Sequence, residues 1–117
     1  MMGASSYAFD DFLLDGDSQT LTFRDRRVPL TRKAFQTLRL LVASQGKVVK
    51  KEEFLSTVWP EAFVEESTLA QNIRTLRKTL NTFSSQKEFI VTVPRLGYRF
   101  AETVVQVNLM GNADEPE

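Results

Sequence analysis

The first thirty residues alternate between short apolar clusters and residues that favour turns. Residues 20–24 switch between polar and apolar side chains with a period of two, which is typical of a half-buried strand. Pro29 has no amide hydrogen for a sheet ladder, so the last strand of this region is expected at an edge. The pattern predicts a small antiparallel N-terminal sheet with strands at residues 7–9, 12–14, 20–24 and 28–30 and turns at 15–18 and 25–27.

From Thr31 onward the apolar residues recur at helical spacing. Thr31 can cap a first helix that stops at Gly46, and a short strand is expected at residues 48–49. A second helix is predicted at residues 51–59, because Pro60 cannot continue it. The residues expected to face inward are Phe35, Leu38, Leu41 and Val42 in the first helix, and Phe54, Leu55, Val58 and Trp59 in the second.

A third helix and a hairpin follow. Ser67 or Thr68 can cap a helix that reaches Phe83. Residues 89–93 and 98–100 are strand-like and flank a Pro/Gly turn at 94–97, which predicts a β-hairpin. After this the chain becomes acidic and loses its periodicity. We therefore predict one domain at residues 1–104 and a linker or tail at residues 105–117.

Composition favours a binding module over an enzyme. The 117 residues contain no Cys and no His, which excludes disulfides, thiolate metal sites and Ser-His-Asp triads. The acid pairs Glu52-Glu53 and Glu65-Glu66 diverge on a helix, and neither a Gly-rich phosphate loop nor metal-ligand spacing is present. No metal or cofactor is expected. Since no apolar run could span a bilayer and no export signal is visible, we expect a cytoplasmic domain.

The net charge of zero hides a strong asymmetry along the chain. Residues 10–25 contain five Asp against one Arg, whereas residues 68–100 contain six basic residues against Glu88 alone. A neutral chain with a local basic surface is compatible with a nucleic-acid partner.

The predicted third helix has an apolar stripe and an opposite face that lacks acids. On a helical wheel the stripe consists of Leu69, Ile73, Leu76 and Leu80. The opposite face carries Ser67, Gln71, Arg74, Thr75 and Lys78, with Thr68 and Asn72 on one flank and Arg77 on the other. Amide, guanidinium and hydroxyl groups are those that read base edges. The alternative is a solvated polar face, although such faces usually mix Glu with Lys.

Arg95 lies in the predicted hairpin turn between Pro94 and Gly97. An Arg on a stiff turn can enter a minor groove, where narrow geometry concentrates negative potential. The alternative is an ordinary solvent-exposed turn arginine.

Three separated motifs resemble the OmpR/PhoB-type winged-helix DNA-binding domain. Residues 68–80 and 90–100 are similar to the recognition helix and wing of that family, and residues 30–41 and 48–59 to its first two helices. The motifs occur in order over about residues 7–104. The resemblance implies an α+β fold, a winged helix-turn-helix with a small N-terminal antiparallel sheet, three helices and a C-terminal β-hairpin wing.

The resemblance also implies a recognition helix in the major groove of double-stranded DNA and a wing on an adjacent minor groove. The resemblance implies that Thr68, Ala70, Gln71 and Thr75 read bases. Lys78 is added as a base-reading candidate because it lies on the exposed face of the predicted helix. The candidates for phosphate or sugar contacts are Trp59, Ser67, Asn72, Arg74, Arg77, Thr92 and Tyr98, and those for the minor groove are Pro94 and Arg95. Family members often carry an acid at position 70 and Arg at positions 67 and 75. This chain therefore offers fewer cations, and its DNA target cannot be copied from theirs.

The wing looks more like the membrane-anchored or sensor-fused CadC/ToxR-like branch than a phosphorelay regulator. Because the sequence starts at Met1, we expect no N-terminal receiver domain, and we expect the natural protein to continue beyond Glu117. Weak pairing of two domains on tandem half-sites is expected.

Residues 60–66 form an acidic loop with apolar members. In the resembled family this loop can touch RNA polymerase, which implies a contact through Glu61, Phe63, Glu65 and Glu66. The alternative is that Phe63 folds back onto Trp59. For the whole domain, the alternative function is a winged helix used for protein–protein contact, which the zero net charge and the apolar residues 104–107 leave open.

Overall fold

The structure is a computed structural model that describes residues 5–85 and 87–107. Its strands form two antiparallel sheets, one with the order β4-β3-β2-β1-β8 and one with the order β5-β7-β6. The elements are β1 (Ser6–Phe9), β2 (Phe12–Asp15), β3 (Thr20–Phe23), β4 (Arg26–Val28), α1 (Arg32–Ala43), β5 (Val49–Lys50), α2 (Lys51–Val58), α3 (Glu66–Phe83), β6 (Ile90–Val93), β7 (Gly97–Phe100) and β8 (Val105–Val107). The predicted fold class, a winged helix with an N-terminal sheet and a C-terminal hairpin, is confirmed.

The N-terminal sheet buries one face, as the alternation predicts. Its inward-facing side chains are Tyr7, Phe9, Phe12, Leu14, Leu21, Phe23 and Val28. Phe12 lies opposite Phe9 on one side and Phe23 on the other, with ring centroids 5.1 and 4.7 Å apart. Phe89 and Phe100 extend this aromatic cluster from the C-terminal half of the chain.

The edge strand β4 begins earlier than predicted. Residues 25–27 were expected to be a turn and 28–30 a strand, but β4 is Arg26–Val28 and Pro29 follows it. The turn consists of Arg24 and Asp25, with φ of 50° and 69°, and positive φ at both central residues defines the two-residue hairpin turn that suits strand twist. The expectation of an edge position is confirmed.

The predicted linker boundary at residue 105 is wrong. Val105–Val107 forms β8 and pairs with β1, with Ser6 opposite Val107 and Ala8 opposite Val105. The free edge of β1 offers amides and carbonyls that a short, unpatterned segment can satisfy, and period analysis does not detect such pairing. Residues 108–117, the rest of the predicted tail, lie outside the described part of the chain.

The three helices occur where the periodicity predicts them, with differences at their ends. Thr31 caps α1 as expected, since its Oγ1 accepts from the amide of Ala34 at 3.1 Å. α1 already ends at Ala43, and Gly46, with φ of +90°, lies beyond it. α2 ends one residue before Trp59. Phe54 and Val58 of α2 are buried, whereas Leu55 and Trp59 are only partly buried.

The predicted cap of α3 is wrong. Glu65 is the N-cap, and the helix starts at Glu66, so Ser67 and Thr68 lie within the first turn. The amide of Thr68 donates to the carbonyl of Glu65 at 3.0 Å, and no side chain caps this end. The predicted stripe of Leu69, Ile73, Leu76 and Leu80 is fully buried, which confirms the face that α3 turns toward the core.

Lys87 ties two distant turns together beside the aromatic cluster. Its Nζ lies 3.0 Å from a Glu102 oxygen and 3.5 Å from an Asp10 oxygen. The carboxylate of Glu102, followed by that of Asp10, raises the pKa of Lys87 above its ordinary value. One of the six basic residues in the positively charged segment is therefore already paired with acids.

Candidate nucleic-acid interface

The outward face of α3 is exposed along its whole length. All five base-reading candidates are solvent-exposed: Thr68, Ala70, Gln71, Thr75 and Lys78. The hydroxyl of Thr75 donates to the backbone carbonyl of Gln71 at 3.1 Å, so it keeps only its acceptor capacity for a ligand. The helix places these groups side by side, facing away from the buried leucine stripe.

The one acid in the first turn of α3 is paired. Glu66 Oε1 lies 3.2 Å from Lys51 Nζ at the start of α2. From Ser67 to Thr79 the helix has three cations and no acid. The exposed face of α3 therefore carries uncompensated positive charge.

The wing is a tight hairpin attached to the start of α2. The amide of Leu96 donates to the carbonyl of Val93 at 3.0 Å, and the amide of Lys51 donates to the carbonyl of Leu96 at 3.1 Å. Pro94 and Arg95 are exposed at the tip, and Arg95 adopts a φ of 70°. Positive φ costs a non-glycine residue about 1–2 kcal/mol, so the turn holds Arg95 in an unfavourable backbone conformation.

Gly97 lets the wing approach β5. A Cβ at this position would overlap the carbonyl oxygen of Val49 and lie 2.9 Å from the Cα of Lys50. Only glycine permits this contact between the β5 and β7 backbones, which fixes the turn end of the hairpin.

The seven candidates for contact with the DNA backbone differ in exposure and in their contacts within the protein. Ser67, Arg74 and Thr92 are exposed, and Thr92 also accepts a hydrogen bond from Arg77. Trp59 is half-buried, with Lys33 Nζ 5.9 Å from its ring centroid. Tyr98 is only 9% exposed and packs on Phe54, with ring centroids 5.8 Å apart.

Two of these candidates hold α3 in place. Asn72 donates through Nδ2 to Thr37 Oγ1 at 2.5 Å and to the carbonyl of Lys33 at 3.3 Å, both on α1. On the other flank, Arg77 donates through Nε and Nη2 to the carbonyl of Ile90, and through Nη2 to Thr92 Oγ1 at 2.8 Å. Both side chains are half-buried. Their predicted phosphate contacts stay predictions.

The loop between α2 and α3 presents a fully exposed aromatic ring. The alternative in which Phe63 folds onto Trp59 is wrong, because Phe63 has complete solvent exposure. Glu61 and Glu65 beside it are exposed as well, whereas Glu66 belongs to α3 and pairs with Lys51.

Sequence reasoning missed three residues that shape this surface, which are Lys33, Thr37 and Lys50. Lys33 and Thr37 hold α3 through Asn72, and no periodic signal identifies them because the contact joins residues 35 or more positions apart. Lys50 is exposed opposite Gly97, next to the turn of the wing. The basic residues at positions 47, 50 and 51 were a visible signal for Lys50.

Within residues 5–85 and 87–107, no group of three or more metal-ligating side chains is present. In the same part of the chain, no helix combines the length and apolar character that a bilayer crossing requires.

Comparison with known proteins identifies the family. A family model described as "Transcriptional regulatory protein, C terminal" matches residues 25–100. The transcriptional regulator HilA of Salmonella typhi is 34% identical over 102 residues, which are 87% of this chain and 18% of HilA. The response regulator SaeR of Staphylococcus epidermidis is 33% identical over 93 residues, 79% of this chain and 41% of SaeR. The chain thus spans well under half of the length of these relatives.

Solved structures show the same fold. The DNA-binding domain of Escherichia coli CadC superposes with a TM-score of 0.79 at 21% identity, covering 91% of this chain and 100% of that domain. DrrB of Thermotoga maritima, an OmpR/PhoB homologue, matches with a TM-score of 0.72 at 30% identity, covering 81% of this chain and 43% of DrrB. With the matched family model over most of the fold, these likenesses show that the chain belongs to the OmpR/PhoB-type family of winged-helix DNA-binding domains of transcriptional regulators.

Proposed function

We propose that this domain binds double-stranded DNA sequence-specifically, with α3 in a major groove and the wing tip on an adjacent minor groove. The observation that carries the proposal is the exposed, acid-free face of α3 beside the exposed Arg95. An α-helix fits the width of a major groove, and a single Arg fits a narrow minor groove.

The face of α3 supports a division of roles. Gln71 offers the amide pattern that pairs with adenine, and Thr68 and Thr75 offer hydroxyl groups beside it. Arg74 and Ser67, both exposed, are proposed to contact phosphates. Lys50 and Arg95 add charge at the wing.

Titration of the domain against double-stranded fragments tests the proposal. We expect saturable binding at low salt. A plot of the logarithm of the association constant against the logarithm of the salt concentration should fall with a slope of about 0.9 per phosphate neutralised. A variant with Arg74→Gln and Arg95→Gln is the control, and its slope should be shallower by about 2 × 0.9 if each cation neutralises one phosphate. Absence of saturable binding at low salt would overturn the proposal and favour the protein-contact alternative.

Two copies are proposed to pair head-to-tail on tandem half-sites. The outer face of the wing sheet carries Lys50 and Arg99, on the side opposite the buried Tyr98. The N-terminal sheet and its turns carry five Asp, at positions 10, 11, 15, 17 and 25, of which Asp10 pairs with Lys87 and Asp11 with Arg24. Opposite charges at the two ends of one domain favour head-to-tail pairing over pairing about a two-fold axis.

The pairing can be measured as cooperative binding of two domains to DNA that carries two half-sites. Two half-sites placed about 10 or 11 base pairs apart should bind two domains more tightly than the product of single-site affinities, and a spacing of about 15 should abolish the gain. Equal affinity at both spacings would contradict pairing.

The loop between α2 and α3 is proposed to contact RNA polymerase. Phe63, fully exposed and flanked by Glu61 and Glu65, has the apolar and acidic character of a protein-contact surface. Phe63→Ala, alone or with Glu65→Lys, should leave DNA affinity unchanged and reduce transcription from a responsive promoter. Unchanged transcription would show that the loop has no partner there.

The resemblance to the CadC/ToxR-like branch extends the proposal to the whole protein. We propose that this cytoplasmic domain belongs to a longer regulator that is membrane-anchored or fused to a sensor. Membrane fractionation of the full-length protein tests this placement.

A further inference from the structure

Asn72 lies on the helix proposed to read DNA, yet its amide group is directed at the protein. Both of its donor contacts, Thr37 Oγ1 and the carbonyl of Lys33, belong to α1. We propose that Asn72 is a positioning residue: its hydrogen bonds to α1 set the rotation of α3 about its own axis and thereby the side chains that reach the bases. This inference rests on the DNA-binding function proposed above.

Thr37 makes the contact specific. Its side chain is 0% exposed, and its hydroxyl donates to the carbonyl of Lys33 at 2.8 Å while accepting from Asn72. A buried hydroxyl must find its partners within the protein, and the Thr37 hydroxyl has one on each helix, the carbonyl of Lys33 on α1 and the amide of Asn72 on α3. The result is a polar contact at the junction of α1 and α3.

The leucine stripe alone does not set the rotation of α3. Apolar contact is non-directional, so Leu69, Ile73, Leu76 and Leu80 tolerate small turns of the helix. Hydrogen bonds require a narrow range of distance and angle. Asn72 supplies them on one flank of the stripe, and Arg77, bound to β6, supplies them on the other.

Small rotations matter for reading bases. A side-chain tip about 5–6 Å from the helix axis moves by about 1 Å when the helix turns by about 10°. That displacement exceeds the spread of hydrogen-bond lengths, which is about 0.5 Å. Gln71 and Thr75, on the exposed face, would lose their alignment with base edges.

A substitution at the buried residue Thr37 can distinguish a positioning role of Asn72 from a direct contact of Asn72 with phosphate. Thr37 cannot touch DNA, so Thr37→Val affects recognition only through Asn72 and α1. We expect Thr37→Val to weaken binding to the selected site about five- to tenfold, the range of one lost hydrogen bond, and to broaden the motif in a randomised-site selection. Thr37→Ser, which keeps the hydroxyl, should restore both.

The control variant is Thr82→Val, which removes the same kind of hydroxyl from an exposed site. Thr82 is exposed and donates to the carbonyl of Lys78 at 2.9 Å, as Thr37 does to Lys33, but this hydrogen bond stays within α3. Affinity and motif should be unchanged. All measurements are made at a temperature where circular dichroism shows each variant folded, so that lost stability cannot imitate lost recognition.

A double-mutant cycle completes the test. If Asn72 acts through Thr37, the loss in the double variant Asn72→Ala, Thr37→Val should be smaller than the sum of the two single losses, because only the contact of Asn72 to the Lys33 carbonyl remains to be lost once Thr37 is changed. Additive losses, or a Thr37→Val variant with wild-type affinity and motif, would overturn the positioning role while leaving the DNA-binding proposal intact. A wild-type domain that binds no duplex at low salt would overturn both.

Discussion

The N-terminal sheet and the turn end of the wing are held in place by different forces. The five-stranded sheet packs a continuous aromatic cluster, in which Phe12 contacts Phe9, Phe23 and Phe89. The wing sheet shares the core through Ile90 and Phe100, but directed backbone contacts hold its turn end: Gly97 lies against Val49, and the amide of Lys51 donates to the carbonyl of Leu96. The first sheet has acidic turns, whereas the second carries Lys50, Arg95 and Arg99.

This difference separates stability from recognition. Burial of large apolar side chains supplies most of the free energy of folding, so the core, to which the N-terminal sheet contributes four phenylalanine and tyrosine rings, should determine whether the domain folds. α3 and the wing strands also bury apolar side chains, but the flanks of α3 and the turn end of the wing are fixed by a few directional contacts, and their charges stay exposed to solvent. Substitutions should therefore fall into two classes, which the following predictions test.

The largest effect is expected from the aromatic cluster. Phe12→Ala should destabilise the domain by about 3–5 kcal/mol, because it removes a fully buried ring from the centre of the cluster. Phe63→Ala removes the same atoms from an exposed loop and should change stability by less than about 0.5 kcal/mol. Urea unfolding measures both. Similar losses would contradict the different burial of the two rings.

Gly97→Ala should damage the wing more than the rest of the fold. The new Cβ must push β7 away from β5, at a cost of about 1–3 kcal/mol for forced overpacking, and DNA binding should fall with it. Amide exchange should increase at Lys51, whose donor contact to Leu96 depends on this approach, before it increases in β2. Leu96→Ala, a change at a half-exposed neighbour, should leave exchange at Lys51 unchanged.

On α3, Gln71→Ala and Arg74→Ala should have different effects on DNA binding: the first should change the preferred sequence, and the second should lower the affinity for all sequences. Gln71→Ala should cost about 1–3 kcal/mol on the selected site and relax the preferred sequence. Arg74→Ala should weaken all sequences nearly equally, because phosphates carry no base information. Randomised-site selection on each variant decides. A changed motif for Arg74→Ala with an unchanged one for Gln71→Ala would reverse the assignment.

Arg95→Asn should weaken DNA binding without harming the fold. Asn tolerates positive φ better than Arg, so stability should stay constant or rise by less than about 1 kcal/mol. The slope of log affinity against log salt should become shallower by about 0.9 if Arg95 neutralises one phosphate. Arg95→Lys keeps the charge and should keep the slope. A loss of stability in Arg95→Asn would contradict this prediction, because it would show that the Arg95 side chain stabilises the turn.

The smallest effect is expected from Lys87→Met. Glu102, and then Asp10, raises the pKa of Lys87, so the charged form is stabilised in the folded state. That stabilisation is complete below the ordinary pKa of 10.5 and is lost as pH rises through the raised value. Melting temperatures should differ slightly between wild type and variant at pH 7.5 and converge at strongly alkaline pH. DNA affinity should stay unchanged, because Lys87 already faces two acids.

The order and type of most elements could be read from periodicity, because a half-buried strand or helix must repeat its apolar residues at its own period. Thr31 as the cap of α1, the leucine stripe of α3 and the alternating N-terminal strands follow from that rule and are confirmed. The family motifs then placed the exposed residues of α3 and the wing tip, and the exposure of Gln71 and Arg95 agrees with that placement.

Only the tertiary structure determined the strand pairings and side-chain contacts that join residues far apart in the chain. β8 exists because the edge of β1 is free, Asn72 is engaged because Thr37 lies beneath it, and Arg77 is held by Ile90 and Thr92. Phe63 is exposed although its hydrophobicity favours burial. Local patterns describe which face of an element is apolar, but hydrogen-bond partners and strand neighbours come from other segments, and only packing in three dimensions brings those segments together.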